Sequence, residues 1–349
     1  MDLMLLKKLF FPMNKAKNIY GLSDLEKSLV IPDGATTIEY GKRRLNWKGK
    51  LGYKLMVWRS VNKLNTFYRE ALKKKQCYYG PFKGEFGHFL LHNLPFLVHL
   101  HKNGVKIHYC GMELHKPFLV DETGKSIIHE WFPLPDFFAE AKPMANETVL
   151  PPSIKKLVDD FKKQAIGSDL PFLDISEKDM YWFVFRNWQL EGKQEIYDLS
   201  KVYAKSKGKS CVIFPRKKGV DFSPNNGGPW DYFQISKMVS PFFEKVYLVG
   251  HPSLSADVEA SGNIELKVSL DNSDTLRYCA EADLIITQHS GAVHLGAYVK
   301  TPVLIIFNGD PPIKGLIDTI RFRKNITSQS LNYAFNFAEI ENFANSGTF

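Results

Sequence analysis

An α/β protein built on parallel sheets is what the sequence predicts, and three observations carry it. Residues 210–307 alternate short apolar runs, rich in β-branched residues, with segments of helical spacing. One of those runs, 303–307, is almost uninterrupted in its apolar residues, and another, 283–288, has an apolar centre rich in β-branched residues, as strands covered on both faces by helices have. The chain has 349 residues, long for a single core, so two domains are expected.

In chain order, residues 1–75 mix strand-like pieces (28–32 and 54–58) with a basic, helix-like stretch over 62–75. The first eleven residues are apolar but interrupted by Lys7 and Lys8, too short to span a bilayer, and no secretory signal is visible. This segment is expected either to lie on an anionic membrane surface, with Lys7, Lys8, Lys15 and Lys17 toward head groups, or to pack on its own protein. Cys77-Tyr78-Tyr79 then leads into the turn Gly84-Glu85-Phe86-Gly87-His88. A helix bent at Pro95 is expected from Phe89 to about Gly104, then a strand over 105–111. The glycine turn thus falls at the carboxyl end of a strand, the usual place for reacting side chains in such sheets. His88 and His92 are four apart, a spacing at which two imidazoles can share a metal. No HExxH pattern or acidic third ligand accompanies them, so solvated or capping histidines are the preferred reading.

Residues 116–175 are proline-rich loops with a helix over 153–165. An aromatic strand is expected at 181–186 and a helix at 195–207, with the boundary between halves somewhere in 165–195. The second half is more regular. A strand over 210–215 runs into Arg216-Lys217-Lys218-Gly219. A glycine loop at 225–229 precedes a helix over 230–244. A strand over 245–250 closes on His251-Pro252, and another covers 264–268. Ser273 or Asp274 caps a helix through Ala282. The strand 283–288 ends in Gln288-His289-Ser290-Gly291, a helix follows to Thr301-Pro302, and the strand 303–307 ends in Asn308-Gly309-Asp310. Residues 331–343 carry an apolar, aromatic helical face.

The formal net charge of +9 suits an anionic partner, whether nucleotide, phosphorylated glycan, membrane or nucleic acid, but charge alone does not outweigh the plain alternative of a generally basic surface. The four cysteines show neither close pairing nor metal-ligand spacing. Cys211 and Cys279 fall in apolar periodic segments, where buried reduced thiols are expected. Phosphate-friendly groups gather at predicted strand ends: Arg216, Lys217, Lys218, His251 and the turn 288–291. Arginine forks match two phosphate oxygens, and a helix start offers free N–H groups to an anion. No GxxxxGK[ST] or strand-borne GxGxxG is present, which disfavours a P-loop hydrolase and a nicotinamide enzyme.

The run DTLRYCAEADLIITQHSGAVHLGAYVKTPVLIIFNGDPP resembles the donor-binding end of GT-B glycosyltransferases, most of all the ADP-heptose:lipopolysaccharide heptosyltransferase group. Ser290-Gly291, His294-Leu295, Ala297, Thr301-Pro302-Val303 and Gly309-Asp310 carry the likeness, which covers roughly residues 210–312. Where that group has an acidic residue before its turn, this chain has Gln288-His289. The run VYLVGHP at 246–252 is similar to CMP-sugar (Kdo and sialyl) transferases, and PRKKG at 215–219 to an arginine-bearing strand end of fucosyltransferases.

The resemblance implies a GT-B fold, two Rossmann-like domains with parallel sheets facing across a cleft. An acceptor-side domain would span 1–180, a nucleotide-sugar domain 181–330, and a last helix, 331–349, would cross back onto the first domain. It implies a metal-independent glycosyltransferase without cofactor, probing a nucleotide-sugar donor and a glycan acceptor of cell-surface polysaccharide or lipopolysaccharide type. Its place would be cytoplasmic, peripheral at the inner face of the membrane, with no nucleic acid bound. Helix dipole and basic side chains would stabilise the departing phosphate. Donor contacts are then expected from Arg216, Lys218, Gly250, His251, Gln288, His289, Ser290, Gly291 and Asp310. An inverting mechanism needs one base: Glu85, with His88 the second candidate. Glu85 as an idle carboxylate at a helix start is the alternative. A nucleotide-sugar epimerase on the same fold, and a basic nucleic-acid-binding protein, are the competing functions. Scattered basic residues and the lack of a recognisable binding module weigh against the last.

Overall fold

The structure, a computed structural model, describes residues 47–84, 86–135, 150–176, 195–203, 208–216, 230–252, 254–269, 274–307 and 331–347. The first half opens with helix α1 (Trp47–Lys74). Leu64, Phe67 and Ala71 fall on one face of it and are buried, so residues 54–58, expected as a strand, are helical instead. Their apolar run is too short to settle the period by itself. Strand β1 (Gln76–Phe82) follows, then a helical turn, Phe86–His88. A π-helical turn, Phe89–Asn93, leads into α2 (Leu94–Lys102). The predicted bend is present, but it is the π turn, with Pro95 early in the next helix where its missing N–H costs nothing. Strands β2 (Lys106–Met112) and β3 (Glu130–Leu134), helix α3 (Pro152–Gly167) and strand β4 (Phe172–Leu173) complete it. The sheet is parallel with order β3-β2-β1-β4. Gly80 is required within it: its φ is +127, and a Cβ there would lie 2.5 Å from the Cys110 carbonyl oxygen of β2.

The second half holds β5 (Ser210–Ile213), α4 (Tyr232–Val239), β6 (Lys245–Gly250) and β7 (Ile264–Val268). Helix α5 (Thr275–Glu281), β8 (Leu284–Gln288), α6 (Ala292–Val299), β9 (Val303–Ile306), β10 (Asn332–Ala334) and α7 (Phe337–Ser346) follow. Its six-stranded sheet is parallel throughout, in the order β10-β9-β8-β5-β6-β7. The α/β class and the two parallel sheets expected of a GT-B chain are therefore present. Strand order reverses at β1, between β2 and β4, and at β5, between β6 and β8. Ligands of open α/β sheets bind outside the carboxyl ends at such reversals.

Some expectations differ. Residues 195–198 take no regular structure and Leu199–Lys201 form a short 3-10 turn where a helix over 195–207 is expected; residues 204–207 lie outside the described residues. The tail is not one helix: β10 joins the second sheet beside β9, and only α7 is helical. Helix α7 also packs on its own domain rather than crossing to the first. Ile340 and Ala344 share a core with Ile235 and Val239 of α4, and Phe337 meets Trp230 edge-on at 5.2 Å. The physical reason lies at its start. Asn336 Oδ1 accepts from the Glu339 amide at 2.9 Å, and Glu339 returns a bond to the Phe335 amide at 2.8 Å. This capping box sets the helix direction directly out of β10. The 180/181 boundary and the strand at 181–186 lie outside the described residues, as does the segment before Trp47.

Ile340 is fully buried under α4. Ile340→Ala is expected to lower stability by about 2–5 kcal/mol, the cost of a large-to-small change in a packed core, as read from urea melts. A helix docked loosely on the other domain would show well under half of that.

Candidate active site between the two sheets

Sheet register places three predicted residues side by side. Ile213 of β5 pairs with Leu248 of β6 and with Ile286 of β8. Arg216, His251 and His289 each follow those residues by three positions, so they emerge together beyond the carboxyl ends at the strand reversal. The backbone ties them down. Phe214 N–H donates to Ile286 O at 3.0 Å, and the Leu254 and Ser255 amides donate to His251 O at 3.0 and 2.9 Å. Ser255 bridges to Arg216. Gly250 lies close against Ser255: a Cβ there would meet Ser255 Oγ at 2.3 Å unless that hydroxyl turned aside. His251 is buried.

The turn after β8 is equally built in. Gln288 is buried at the strand end. Ser290 Oγ lies 3.4 Å from Thr287 Oγ1 and accepts from the Ala292 amide at 3.3 Å, one residue before Gly291, the N-cap of α6. Intrahelical bonding begins with Val293 N–H to Ser290 O at 3.1 Å, so the amides before it precede the helical ladder. The His289 ring stacks toward Phe307 with centroids 6.4 Å apart. Burial, then the positive charge of Arg216, push the His289 imidazole down to about 4. It is therefore neutral at pH 7, with one ring nitrogen to donate and one to accept.

Across from this turn stands the glycine turn of the first domain. A Cβ on Gly291 would lie 2.8 Å from Gly87 N, and one on Gly87 would lie 3.0 Å from Gly291 Cα and 3.9 Å from the His294 ring. Backbone meets backbone here. The carboxyl ends of β1 and β8 therefore open on the same place. Tyr298 of α6 adds a bond across the same interface, its hydroxyl donating to Leu90 O at 2.5 Å. Leu90 lies in the π turn, where i→i+5 bonding displaces the usual helical ladder. His88, half-buried, begins that turn, its ring 5.9 Å from His92. His92 is itself buried, not solvated as its position suggested.

The structure thus brings together Arg216, Gly250, His251, Gln288, His289, Ser290 and Gly291, with His88 on the facing side. Glu85, Lys218 and Asp310 lie outside the described residues, as do Lys217 and the 225–229 loop. Trp230 is in the core against Phe337. Sequence reading passed over Tyr298, whose only local signal is a hydroxyl on an otherwise apolar helix. It also passed over Lys83 and Asp174, which stand one position beyond β1 and β4. All four cysteines are buried and free, including Cys77 and Cys110. Among the described residues, no group of three or more His, Cys, Asp and Glu side chains could hold a metal ion, and no helix is long and apolar enough to cross a membrane.

No protein-family model and no curated protein sequence matches the chain. Among solved structures it is similar to the E. coli heptosyltransferase WaaC with ADP-2-deoxy-2-fluoro heptose, at 10% identity and a TM-score of 0.49, covering 78% of this chain and 100% of that one. It is also similar to the E. coli ADP-heptose lps heptosyltransferase II, at 12% identity and a TM-score of 0.44, covering 78% and 98%. A third is the glycosyl transferase family 9 structure from Veillonella parvula DSM 2008, at 11% identity and a TM-score of 0.44, covering 78% and 89%.

Two outcomes follow from the geometry. Gly291→Ala forces a methyl onto unyielding backbone and is expected to cost about 1–3 kcal/mol; Gly87→Ala should act through the same contact, so the double variant's loss in urea melts falls short of the sum. Strict additivity would refute the contact. The second outcome concerns acid. His289 sits at about 4 and the fully buried His115 at about 3, both below the ordinary histidine value of about 6.5. The unfolded chain therefore binds more protons from pH 6.5 down to the folded values, and stability drops as pH falls through that window. His115→Gln and His289→Gln should each flatten the pH dependence of the melting temperature between pH 6.5 and 4.5.

Proposed function

We propose that the chain is a glycosyltransferase that moves a sugar from a nucleotide-sugar donor to a glycan acceptor. One observation carries this reading: Arg216, His251 and His289 stand together at the strand reversal of the second sheet, facing the glycine turn at the strand reversal of the first. One sheet end is basic and anchored by a helix start; the other is followed by the sequence Gly84-Glu85-Phe86-Gly87-His88, which holds a carboxylate and an imidazole. The sequence likeness over 210–312 supports the same reading.

In this mechanism Arg216 and the start of α6 hold the donor's phosphates. Fixed positive charge and N–H dipoles stabilise the leaving phosphate as the glycosidic bond breaks, without reorganisation at that moment. Neutral His289 donates a hydrogen bond to a phosphate oxygen and can take up a proton as negative charge grows beside it. Glu85 or His88 removes the acceptor hydroxyl's proton as that oxygen attacks the anomeric carbon from the opposite face, which inverts it. The direct contact of Gly87 with Gly291 places the two halves of this chemistry next to each other, as proximity requires. The acceptor is read as a surface polysaccharide or lipopolysaccharide, with peripheral contact to an anionic membrane at the cytoplasmic side.

The test is a thermal-shift panel with ADP, GDP, CMP, UDP and their sugars on the full chain. One nucleotide class should raise the melting temperature, because a ligand of the native state alone stabilises it, and Arg216→Ala should abolish the rise. Binding should be tighter at pH 6 than at pH 8, since phosphate beside His289 raises the imidazole's proton affinity; His289→Gln should remove that difference. Free nucleotide should then be released faster when acceptor glycan is added, which an epimerase would not show. No shift with any nucleotide at millimolar concentration would overturn the reading.

A further inference from the structure

The turn that begins at His88 is held by two braces, one from each domain. The need for the second is written around Pro95. Phe89–Asn93 is wound one residue looser than an α-helix, and the Leu94 N–H donates to Phe89 O, five residues back. The Leu90 carbonyl thereby loses both of its helical donors. The amide of residue 94 is taken, and residue 95 is a proline with no N–H to give. Leu90 is fully buried, where a carbonyl without a partner is costly. Tyr298 supplies that partner from the other domain, its hydroxyl donating to Leu90 O at 2.5 Å.

The other brace is internal. Asn93 is fully buried; its Oδ1 accepts from the Tyr79 hydroxyl of β1 at 2.7 Å, and its Nδ2 donates to His88 O at 3.4 Å. This pair ties His88 to its own sheet. Tyr298 ties the same turn to α6, the helix that starts directly after Gln288–Gly291. Helical side chains lean toward the helix start, so the phenol reaches back toward the contact of Gly87 with Gly291. Tyr298 is 1% exposed and lies in the core that both domains share. A phenylalanine would fill the same space. What tyrosine adds is one O–H, and that O–H goes to Leu90.

We propose that Tyr298 is a positioning residue: by holding the π turn to α6, its hydroxyl sets where His88 stands relative to the Gln288–Gly291 turn. That His88 acts there on an acceptor rests on the transferase reading; the tether itself does not. Under that reading, the turn that holds the donor's phosphates and the imidazole that takes the acceptor's proton are joined through one helix and one hydrogen bond. Small errors in such a distance cost rate. Loss of the bond removes no donor contact, so it shows in turnover rather than in donor affinity. A purely structural hydroxyl differs in one respect: it would matter only as the donor that Leu90 O lacks, and any other donor would replace it.

The experiment compares the full chain with Tyr298→Phe and with Tyr298→Phe/Pro95→Ala. The alanine gives residue 95 an N–H five positions after Leu90, so it restores a partner to the carbonyl without restoring the tether. Melting temperature is measured first. Histidines are then labelled briefly with diethyl pyrocarbonate and located by peptide mass spectrometry, with the exposed His129 as reference. Tyr298→Phe should lower the melting temperature by a few degrees and speed His88 labelling several-fold relative to His129. In the double variant the melting temperature should recover while His88 labelling stays fast. Unchanged His88 labelling in Tyr298→Phe, or a return to the wild-type rate in the double variant, overturns the proposal. Should Tyr298→Phe fail to fold, the double variant against wild type still decides. With the nucleotide sugar that the thermal-shift panel selects, nucleotide release should show kcat down about tenfold in both variants and donor KM unchanged; a change in KM alone also overturns it. The nucleotide shift is read separately. If it is absent while His88 labelling responds, the transferase reading fails and the tether stands. If it is present while His88 labelling does not respond, the reverse holds.

Discussion

The structure depends on two glycines meeting across a domain interface. With no Cβ on Gly87 or Gly291, the turn after β1 and the turn after β8 approach until backbone touches backbone. Much follows from that approach. Helix α6 is buried along its whole length, because one side covers its own sheet and the rest is covered by α5, the 3-10 turn Leu199–Lys201 and the π turn. Such a helix must be apolar all round, and AVHLGAYV is, apart from His294. One contiguous core then runs from Leu64 and Phe67, through Leu90 and Leu97, to Val293 and Tyr298. The Tyr298 hydroxyl satisfies the Leu90 carbonyl, a polar group that would otherwise be costly at this depth. Close approach, apolar burial and hydrogen bonding all act on the same few residues.

Charge is distributed by the same topology. Each sheet reverses its strand order once among the described strands, and a basic residue stands beyond the carboxyl ends at each reversal: Arg216 in the second sheet and Lys83 in the first. In the second sheet, burial and Arg216 keep His289 neutral, so positive charge is concentrated on the guanidinium while the imidazole remains available as donor. In the first, Asp174 is already committed to Lys162 and Ser176, and Lys83 keeps its charge. His115 shows the contrast. It is more deeply buried, stacked on Phe89 with centroids 3.9 Å apart, and is held neutral by burial alone; it belongs to packing rather than to the cleft.

Much of the second domain was legible residue by residue. The runs 284–286 and 303–306 are continuously apolar because parallel strands are covered on both faces, and that property is written in the local sequence. The Ser290-Gly291 turn was legible for a similar reason, as a small-residue cap between a strand and a helix. The first domain was harder. Lys54 to Trp58 reads equally as strand or helix, and only the burial of Leu64, Phe67 and Ala71 further along decides for α1. The apolar helical face of the tail was visible in the sequence, yet where α7 docks depends on β10 entering the second sheet, a pairing between residues far apart in the chain.

The sequence by itself determined the class, the alternation of strands and helices in the second half, and the chemistry available at strand ends. These are consequences of side-chain period and backbone preference, which act over a few residues. Tertiary structure decided which strand ends are neighbours. Arg216, His251 and His289 are brought level only by the registers of β5 with β6 and β8. Lys83 and Asp174 stand beyond neighbouring strand ends only because β4 returns to the side of β1 opposite β2. Gly87 and Gly291 look like ordinary turn glycines until two domains press them together. Strand order and domain contact are set by burial summed over the whole chain, and no short stretch of sequence carries that sum.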